Sequence, residues 1–142
     1  MVPSAVAKPT DPPDPGCMQM LESAKLHELV GQYYAAIRSM DGDVWAATFS
    51  EDAIIEDPVG EPPVSGGRSQ FADFYARHVN EKFQKFDVHE QTVFVQGNRV
   101  ATSWLLNSLD LTGRAHEVEG MSLIAYDDNG QITSLRVFWN PG

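Results

Sequence analysis

Residues 54–63 read Ile-Ile-Glu-Asp-Pro-Val-Gly-Glu-Pro-Pro. The β-branched pair Ile54 and Ile55 favours a strand. Pro58 ends this strand, because proline lacks a backbone N–H and restricts the preceding Asp57 to an extended conformation. The Asp57 carboxylate is therefore predicted at a strand end beside apolar residues. Partial loss of water there would raise the pKa of Asp57 into the range that suits a proton-transfer group. The simpler interpretation is that these residues form only an acidic turn after an edge strand.

The composition indicates an ordinary globular domain. The chain has 142 residues, 42% of them hydrophobic and 21% charged, which suits one domain with a substantial core. Its net charge of −10 argues against nucleic acid or an anionic membrane as a partner, because their phosphates would repel it. No apolar stretch approaches the ~20 residues that a membrane-spanning helix needs. We expect a cytoplasmic protein, since Cys17 is the single cysteine and no secretory signal is evident.

The order of elements predicts an α+β fold. Residues 1–18 are rich in proline and predict a flexible tail, and residues 19–142 predict a single domain. Apolar side chains at three- and four-residue steps predict a helix over residues 20–40. A second helix is predicted over residues 43–49, capped by Asp41 or Asp43, and a third begins near a capping Ser69.

Long strands follow the helices. Four are predicted, from about Phe86 to Val95 and then over residues 99–110, 115–126 and 131–139, with turn residues between them. Three helices followed by such a meander imply a curved antiparallel sheet with the helices on one face.

Several side chains could form a reactive pocket. Tyr33 lies on the apolar stripe of the first helix, as a core tyrosine or as a donor to a developing negative charge. Tyr75 lies on the third helix and could pack, or donate to Tyr33 or to the same cavity. Trp104, Phe49 and Trp139 would form apolar walls if their faces converge, and core packing is the default for each.

Metal, phosphate and nucleophile motifs are not evident in the sequence. The four histidines do not pair at two-, three- or four-residue spacing, so no metal site is expected. A phosphate-binding glycine loop and a Ser-His-Asp order are also missing. Proton transfer by a carboxylate such as Asp57 would require no cofactor.

The chain resembles the ketosteroid isomerase (steroid Δ5-3-oxoisomerase) family within the NTF2-like/SnoaL-like group. The resemblance extends from about Leu26 to Trp139. It is most specific in residues 50–66 followed by Phe74-Tyr75, and in residues 126–132 leading to Phe138-Trp139. It implies a conical α+β fold in which the sheet wraps around a deep apolar pocket. It also implies a homodimer and a small apolar ligand.

The resemblance assigns roles to individual residues. Asp57 matches the aspartate that moves a proton between two steroid carbons. Tyr33 matches the tyrosine that donates to the dienolate oxygen, and Tyr75 matches a tyrosine that supports that donor. The other residues expected to contact the substrate are Trp104, Trp139, Phe49 and Val59.

The sequence departs from the family at one site residue. Ser122 stands where the family has a protonated aspartic acid as its second oxyanion donor. A serine hydroxyl is shorter and less acidic, and loss of a good oxyanion donor raises a barrier by about 3 kcal/mol. Glu119 is the nearest acid. It is an odd number of positions from Ser122, so strand alternation predicts that it lies on the opposite face of the strand. A bulge at Gly120 would shift this alternation and bring Glu119 to the same face as Ser122.

Three functions are compatible with these residues. The leading hypothesis is an isomerase-like enzyme in which Asp57 moves a proton next to a carbonyl, and Tyr33 and Ser122 stabilise the enolate. A SnoaL-like cyclase or epoxide hydrolase could use the same acid. A non-catalytic ligand-binding or dimerisation domain is the third possibility, because fold alone does not determine function.

Overall fold

The computed structural model describes residues 21–140. The predicted tail, residues 1–18, and its Cys17 lie outside this range. The three helices are α1 (Ser23–Arg38), α2 (Gly42–Ala46) and α3 (Arg68–Tyr75), and a π-helical turn (Ala76–Asn80) follows α3. The strands are β1 (Phe49–Glu56), β2 (Phe83–Gln96), β3 (Arg99–Asp110), β4 (Ala115–Tyr126) and β5 (Ile132–Trp139).

The five strands form one sheet in the order β1-β5-β4-β3-β2. Strands β2 to β5 form the predicted antiparallel meander. At one edge the sheet departs from the predicted antiparallel arrangement, because β1 pairs in parallel with β5 and Ile55 lies opposite Leu135. No hairpin joins these two strands, so no turn requires them to run in opposite directions.

Two helix boundaries differ from the sequence predictions. Helix α2 ends at Ala46, and Phe49 begins β1, so the prediction of helix through Phe49 is wrong. Its cap is Asp41, the first of the two candidates, whose Oδ1 accepts a hydrogen bond from the Asp43 N–H at 2.9 Å. The carboxylate satisfies a backbone donor that the first turn of a helix leaves unpaired.

Helix α3 begins without the predicted serine cap. Gly67 precedes it with a φ of 95°, a left-handed conformation that favours glycine. Glu51 of β1 accepts a hydrogen bond from the Arg68 N–H at 3.2 Å. Ser69 lies inside the helix, because the helix begins at Arg68 with Gly67 at its N-cap position.

The helices pack on one face of the sheet and leave a cavity between the two layers. Helix α1 packs against β2, and α2 packs against α3. The buried Tyr34 joins α1 to β3, since its hydroxyl is 2.8 Å from Thr102 Oγ1. The largest fully buried side chains are Tyr34, Phe49, Phe71, Leu26, Ile55, Ile124, Ile132 and Leu135.

The opposite face of the sheet exposes apolar side chains. Met121 on β4 lies directly opposite Phe138 on β5, and both are exposed, as is Leu123. The expected homodimer stays a prediction. Among residues 21–140, no helix is long and apolar enough to cross a membrane.

Candidate active site

A cavity of about 880 Å³ lies between the helices and the concave face of the sheet. This volume suits a small organic molecule. Its apolar wall includes Ile37, Trp45, Val64, Phe74, Val79, Phe83, Phe86, Val88, Trp104, Leu106, Val118 and Trp139. Polar and charged side chains also line this wall, and their positions determine what the cavity can bind.

Asp57 is one of these polar groups. It follows the last residue of β1 and is half-buried in the cavity wall. Burial raises the pKa of Asp57 above its ordinary value, and a hydrogen bond from Trp139 opposes this effect. Trp139 Nε1 donates to Asp57 Oδ1 at 3.2 Å. The parallel pairing of β1 with β5 brings these two residues together at the same end of the sheet.

Tyr33 contributes a phenol to the same cavity. Its side chain, on α1, is 4% exposed and packs edge-on against Tyr34, with ring centroids 5.6 Å apart. Burial raises the pKa of Tyr33 well above its ordinary value, and the negative charge of Asp57 raises it further. The hydroxyl therefore stays protonated near the carboxylate and can act as a hydrogen-bond donor.

Ser122 contributes a second hydroxyl. It lies on β4, is 3% exposed and lines the cavity. Trp104 Nε1 donates to Ser122 Oγ at 3.0 Å. This bond uses an acceptor site of the serine, so the hydroxyl hydrogen can be directed into the cavity. Glu119 is exposed, in agreement with its predicted position on the opposite face.

Gly120 allows the Trp104 ring to lie flat across β4. The pairing of Trp104 with Gly120, and of Gly120 with Trp139, is continuous, so the bulge considered at Gly120 is not present. A Cβ atom at Gly120 would lie 2.2 Å from Trp104 Cζ2 and 2.7 Å from the Phe138 carbonyl oxygen. The glycine therefore makes room for the ring that binds Ser122.

We expect Gly120→Ala to destabilise the protein by about 1–3 kcal/mol, because the ring or the backbone must shift. Urea unfolding would measure this change. The matched control is Gly31→Ala on α1, where nothing lies within 4 Å of the added Cβ. That substitution should instead stabilise the helix by about 0.5–1 kcal/mol. Equal stability of the two variants would contradict this account of Gly120.

Comparisons with known proteins agree with this architecture. The model of the SnoaL-like domain family matches residues 30–135. The chain belongs to the SnoaL-like family. It is also 31% identical over 120 residues to a steroid Δ-isomerase of Nocardioides simplex, covering 84% of this chain and 94% of that protein. The predicted family and the predicted NTF2-like cone are thus confirmed.

Solved structures of other proteins have the same fold. A Δ5-3-ketosteroid isomerase from Mycobacterium sp. is 25% identical with a TM-score of 0.70, covering 81% of this chain and 92% of that one. The epoxide hydrolase/cyclase-like enzyme SalBIII, of pyran ring formation in the polyether salinomycin, is 24% identical with a TM-score of 0.73. It covers 84% of this chain and 93% of that one.

Three expected site residues of this SnoaL-like domain have other surroundings. The Tyr75 ring lines the cavity, but its hydroxyl donates to the Ile37 carbonyl and not to Tyr33. Phe49 is fully buried behind the cavity wall, with its ring centroid 4.7 Å from that of Trp45. Val59 does not line the cavity, and its N–H donates to the Val137 carbonyl at 2.9 Å.

These differences have one physical reason. Sequence periodicity distinguishes the inner from the outer face of an element, but it does not distinguish a side chain that lines a cavity from one that packs behind the lining. Tyr75 consequently anchors α3 to the carbonyl end of α1, and burial raises the pKa of this phenol to about 12. Val59 anchors the loop after Asp57 to β5.

The sequence analysis missed several polar residues of the cavity. Ser108 on β3 faces it, and alternation from Trp104 could have predicted that orientation. Arg77, His78 and Lys82 line it from the π-helical turn and the residues that follow. Within residues 21–140, no three His, Cys, Asp or Glu side chains are grouped as a metal ion would require.

Proposed function

We propose that this SnoaL-like protein is an isomerase of the ketosteroid isomerase type, acting on an apolar ketone or steroid. One observation supports this most strongly. The half-buried Asp57 carboxylate, whose pKa is raised, shares an apolar cavity with the buried hydroxyls of Tyr33 and Ser122. A base and two hydroxyl donors in one apolar site suit proton transfer beside a carbonyl group.

The proposed reaction uses Asp57 twice. Its carboxylate removes a proton from the carbon between the carbonyl group and the isolated double bond. The electrons of that C–H bond move onto the carbonyl oxygen and form a dienolate. Asp57 then returns the same proton to the far carbon of the former double bond, and the carbonyl group reforms in conjugation. Atoms and charge balance without an oxidant or a cofactor.

Tyr33 and Ser122 would stabilise the dienolate oxygen by hydrogen bonds. Such donors act strongly in a site that excludes water, because water neither screens nor competes with them. Ser122 is a weaker acid than the carboxylic acid of the family. The hydrogen bond from Trp104 to its oxygen polarises the hydroxyl and strengthens it as a donor. Trp104 would thus act through Ser122 as a positioning residue.

The decisive experiment measures conversion of a Δ5-3-ketosteroid to its conjugated isomer by ultraviolet absorbance. We expect the wild-type protein to increase the absorbance of the conjugated ketone at a rate proportional to enzyme concentration. A folded wild-type protein without activity would contradict the steroid substrate. A SnoaL-like cyclase or epoxide hydrolase would then be tested with an epoxy alcohol that closes to a cyclic ether, and ligand binding without turnover would favour a binding domain.

We expect kcat/KM for this reaction to rise with pH and to level off above the pKa of Asp57. The base must be ionised, and burial places its pKa above the ordinary value of 3.8. A pH–rate profile of the wild-type protein measures this midpoint, with circular dichroism over the same range as a control for unfolding. A midpoint at or below 3.8 would contradict burial as the cause.

A further inference from the structure

The cavity extends far beyond the proposed reacting end. Ser122 and His116 both line it from β4. They lie six positions apart, which corresponds to about 20 Å along a strand at roughly 3.3 Å per residue. A steroid ring system held by Tyr33 and Ser122 is shorter than this span. Part of the cavity is therefore left for a group attached to the far end of the substrate.

A buried hydroxyl without a partner faces this distal part. Ser108 lies opposite His116 on the neighbouring strand and lines the cavity. It is 5% exposed, and among residues 21–140 its Oγ has no hydrogen-bond partner. Burying an unpaired hydroxyl is unfavourable, so a polar group at this depth needs an explanation. An oxygen atom on a bound ligand would satisfy it.

Positively charged side chains line the same distal part of the cavity. Lys82 lines the cavity, and its carbonyl accepts a hydrogen bond from the Leu111 N–H at 3.1 Å, just beyond the end of β3. Arg77 also lines it. Both lower the pKa of the intervening His78, after burial, and the carboxylate of Glu81 opposes them.

Neither cation is neutralised in the part of the chain that the structure describes. Within residues 21–140, Arg77 and Lys82 have no carboxylate within ion-pair distance, whereas His116 is paired with Asp110 at 2.9 Å. The chain as a whole carries a net charge of −10. Against this negative background, the two unpaired cations on the cavity wall favour a negatively charged ligand group there.

We propose that the substrate carries a carboxylate on the end remote from its reacting ketone, bound by Arg77 and Lys82, with Ser108 bonding to an oxygen of the connecting group. This inference rests on the proposed function, whose reacting end lies at Asp57. The acidic Asp57 and Glu61 line the cavity as well. They would repel the carboxylate, so that the substrate enters with its ketone toward the base.

A matched pair of ligands tests the charge preference. Testosterone hemisuccinate and testosterone acetate are both conjugated ketones of the product type, and only the first carries a carboxylate. Isothermal titration near neutral pH should show that the hemisuccinate binds about tenfold more tightly, as two partly exposed ion pairs would provide. Added salt should reduce this preference. Equal affinities for the two esters would overturn the proposal.

Variants locate the preference on the protein. The double variant Arg77→Gln with Lys82→Gln should bind the two esters equally and bind the acetate as the wild type does. The control is Arg99→Gln, because Arg99 is an exposed cation that does not line the cavity. This control should keep the tenfold preference. Loss of the preference for the hemisuccinate in the Arg99 variant, or persistence of this preference in the double variant, would overturn the assignment to Arg77 and Lys82.

Ser108→Ala tests the buried hydroxyl separately. We expect it to bind both esters about three- to tenfold more weakly, since both have an ester oxygen in the connecting group. Its unfolding temperature should equal or exceed that of the wild type, because the variant removes an unpaired buried hydroxyl. A structural role would give the opposite pattern, with lower stability and unchanged affinity, and would overturn the role of Ser108.

The results also separate this inference from the proposed function. Isomerisation of the neutral Δ5-3-ketosteroid without any preference for the hemisuccinate would overturn the inference and leave the proposed function supported. If the protein neither isomerised the ketosteroid nor bound either ester, both would be wrong. Preferential binding of the hemisuccinate without isomerisation would support the distal anion site and contradict the isomerase activity.

Discussion

Asp57→Asn is expected to lower kcat for ketosteroid isomerisation by about 10³-fold or more. Asparagine keeps the shape of the side chain, and its carbonyl oxygen can still accept the hydrogen bond from Trp139. It cannot accept the proton that the reaction moves, and general base catalysis contributes on the order of 10²–10⁴-fold. The measurement is the ultraviolet assay at saturating substrate. A variant within tenfold of the wild-type kcat would exclude Asp57 as the base.

Stability separates lost chemistry from lost structure in this variant. Burial raises the pKa of Asp57 in the folded state, so ionising this group opposes folding. Its contribution to stability is fully present below the ordinary pKa and is lost as pH rises through the raised value. Removing the charge should therefore leave Asp57→Asn at least as stable as the wild type near neutral pH, which urea unfolding can show.

Glu61→Gln is the matched control for Asp57→Asn. Glu61 is a second carboxylate of the cavity wall, but it is exposed to solvent. Water stabilises the charged form of an exposed carboxylate, which makes such a group a poorer proton acceptor. The Glu61 variant should keep kcat within about threefold of the wild type. A loss comparable to that of Asp57→Asn would place the base at Glu61 instead.

Tyr33→Phe is expected to lower kcat by about 10²–10³-fold, which is the usual effect of removing one oxyanion donor. Phenylalanine keeps the edge-on packing against Tyr34 and removes only the hydroxyl. Because the donor acts on the dienolate more than on the ketone, KM should change little. Steady-state kinetics of wild type and variant measure both constants.

Tyr34→Phe provides the control at the neighbouring position. Tyr34 also lines the cavity, but its hydroxyl is bonded to Thr102 and burial raises its pKa to about 12. Its loss should reduce stability by about 1 kcal/mol with little effect on kcat. Equal losses for Tyr33→Phe and Tyr34→Phe would contradict the role of Tyr33.

Ser122→Ala should lower kcat by about tenfold, less than Tyr33→Phe, since a serine hydroxyl is the weaker donor.

Local sequence patterns predicted much of the scaffold and the reacting end. The predicted strands over residues 99–110 and 115–126 agree with β3 and β4, because turn residues bound them clearly. Strand alternation placed Ser122 and Glu119 on opposite faces. The β-branched run and Pro58 placed Asp57 after a strand end. Each of these features depends on residues that are close together in the sequence.

Side-chain partners across the sequence were less predictable. The first N–H of α3 bonds to Glu51 and not to Ser69, and the Tyr75 hydroxyl bonds to Ile37 and not to Tyr33. Both hydrogen bonds join residues that are far apart in the chain. Propensity describes what a residue favours locally, and tertiary packing selects among the partners that the fold brings near.

The sequence by itself determined the pattern of strands and helices and the position of the candidate base. It also determined which β4 side chains lie on each face of the sheet. Only the tertiary structure decided which side chains share the cavity. It paired β1 in parallel with β5, which brought Trp139 to Asp57, and it placed Ser108, Arg77 and Lys82 on the cavity wall. The physical reason is that burial and electrostatic fields depend on distances in space between elements that no local pattern connects.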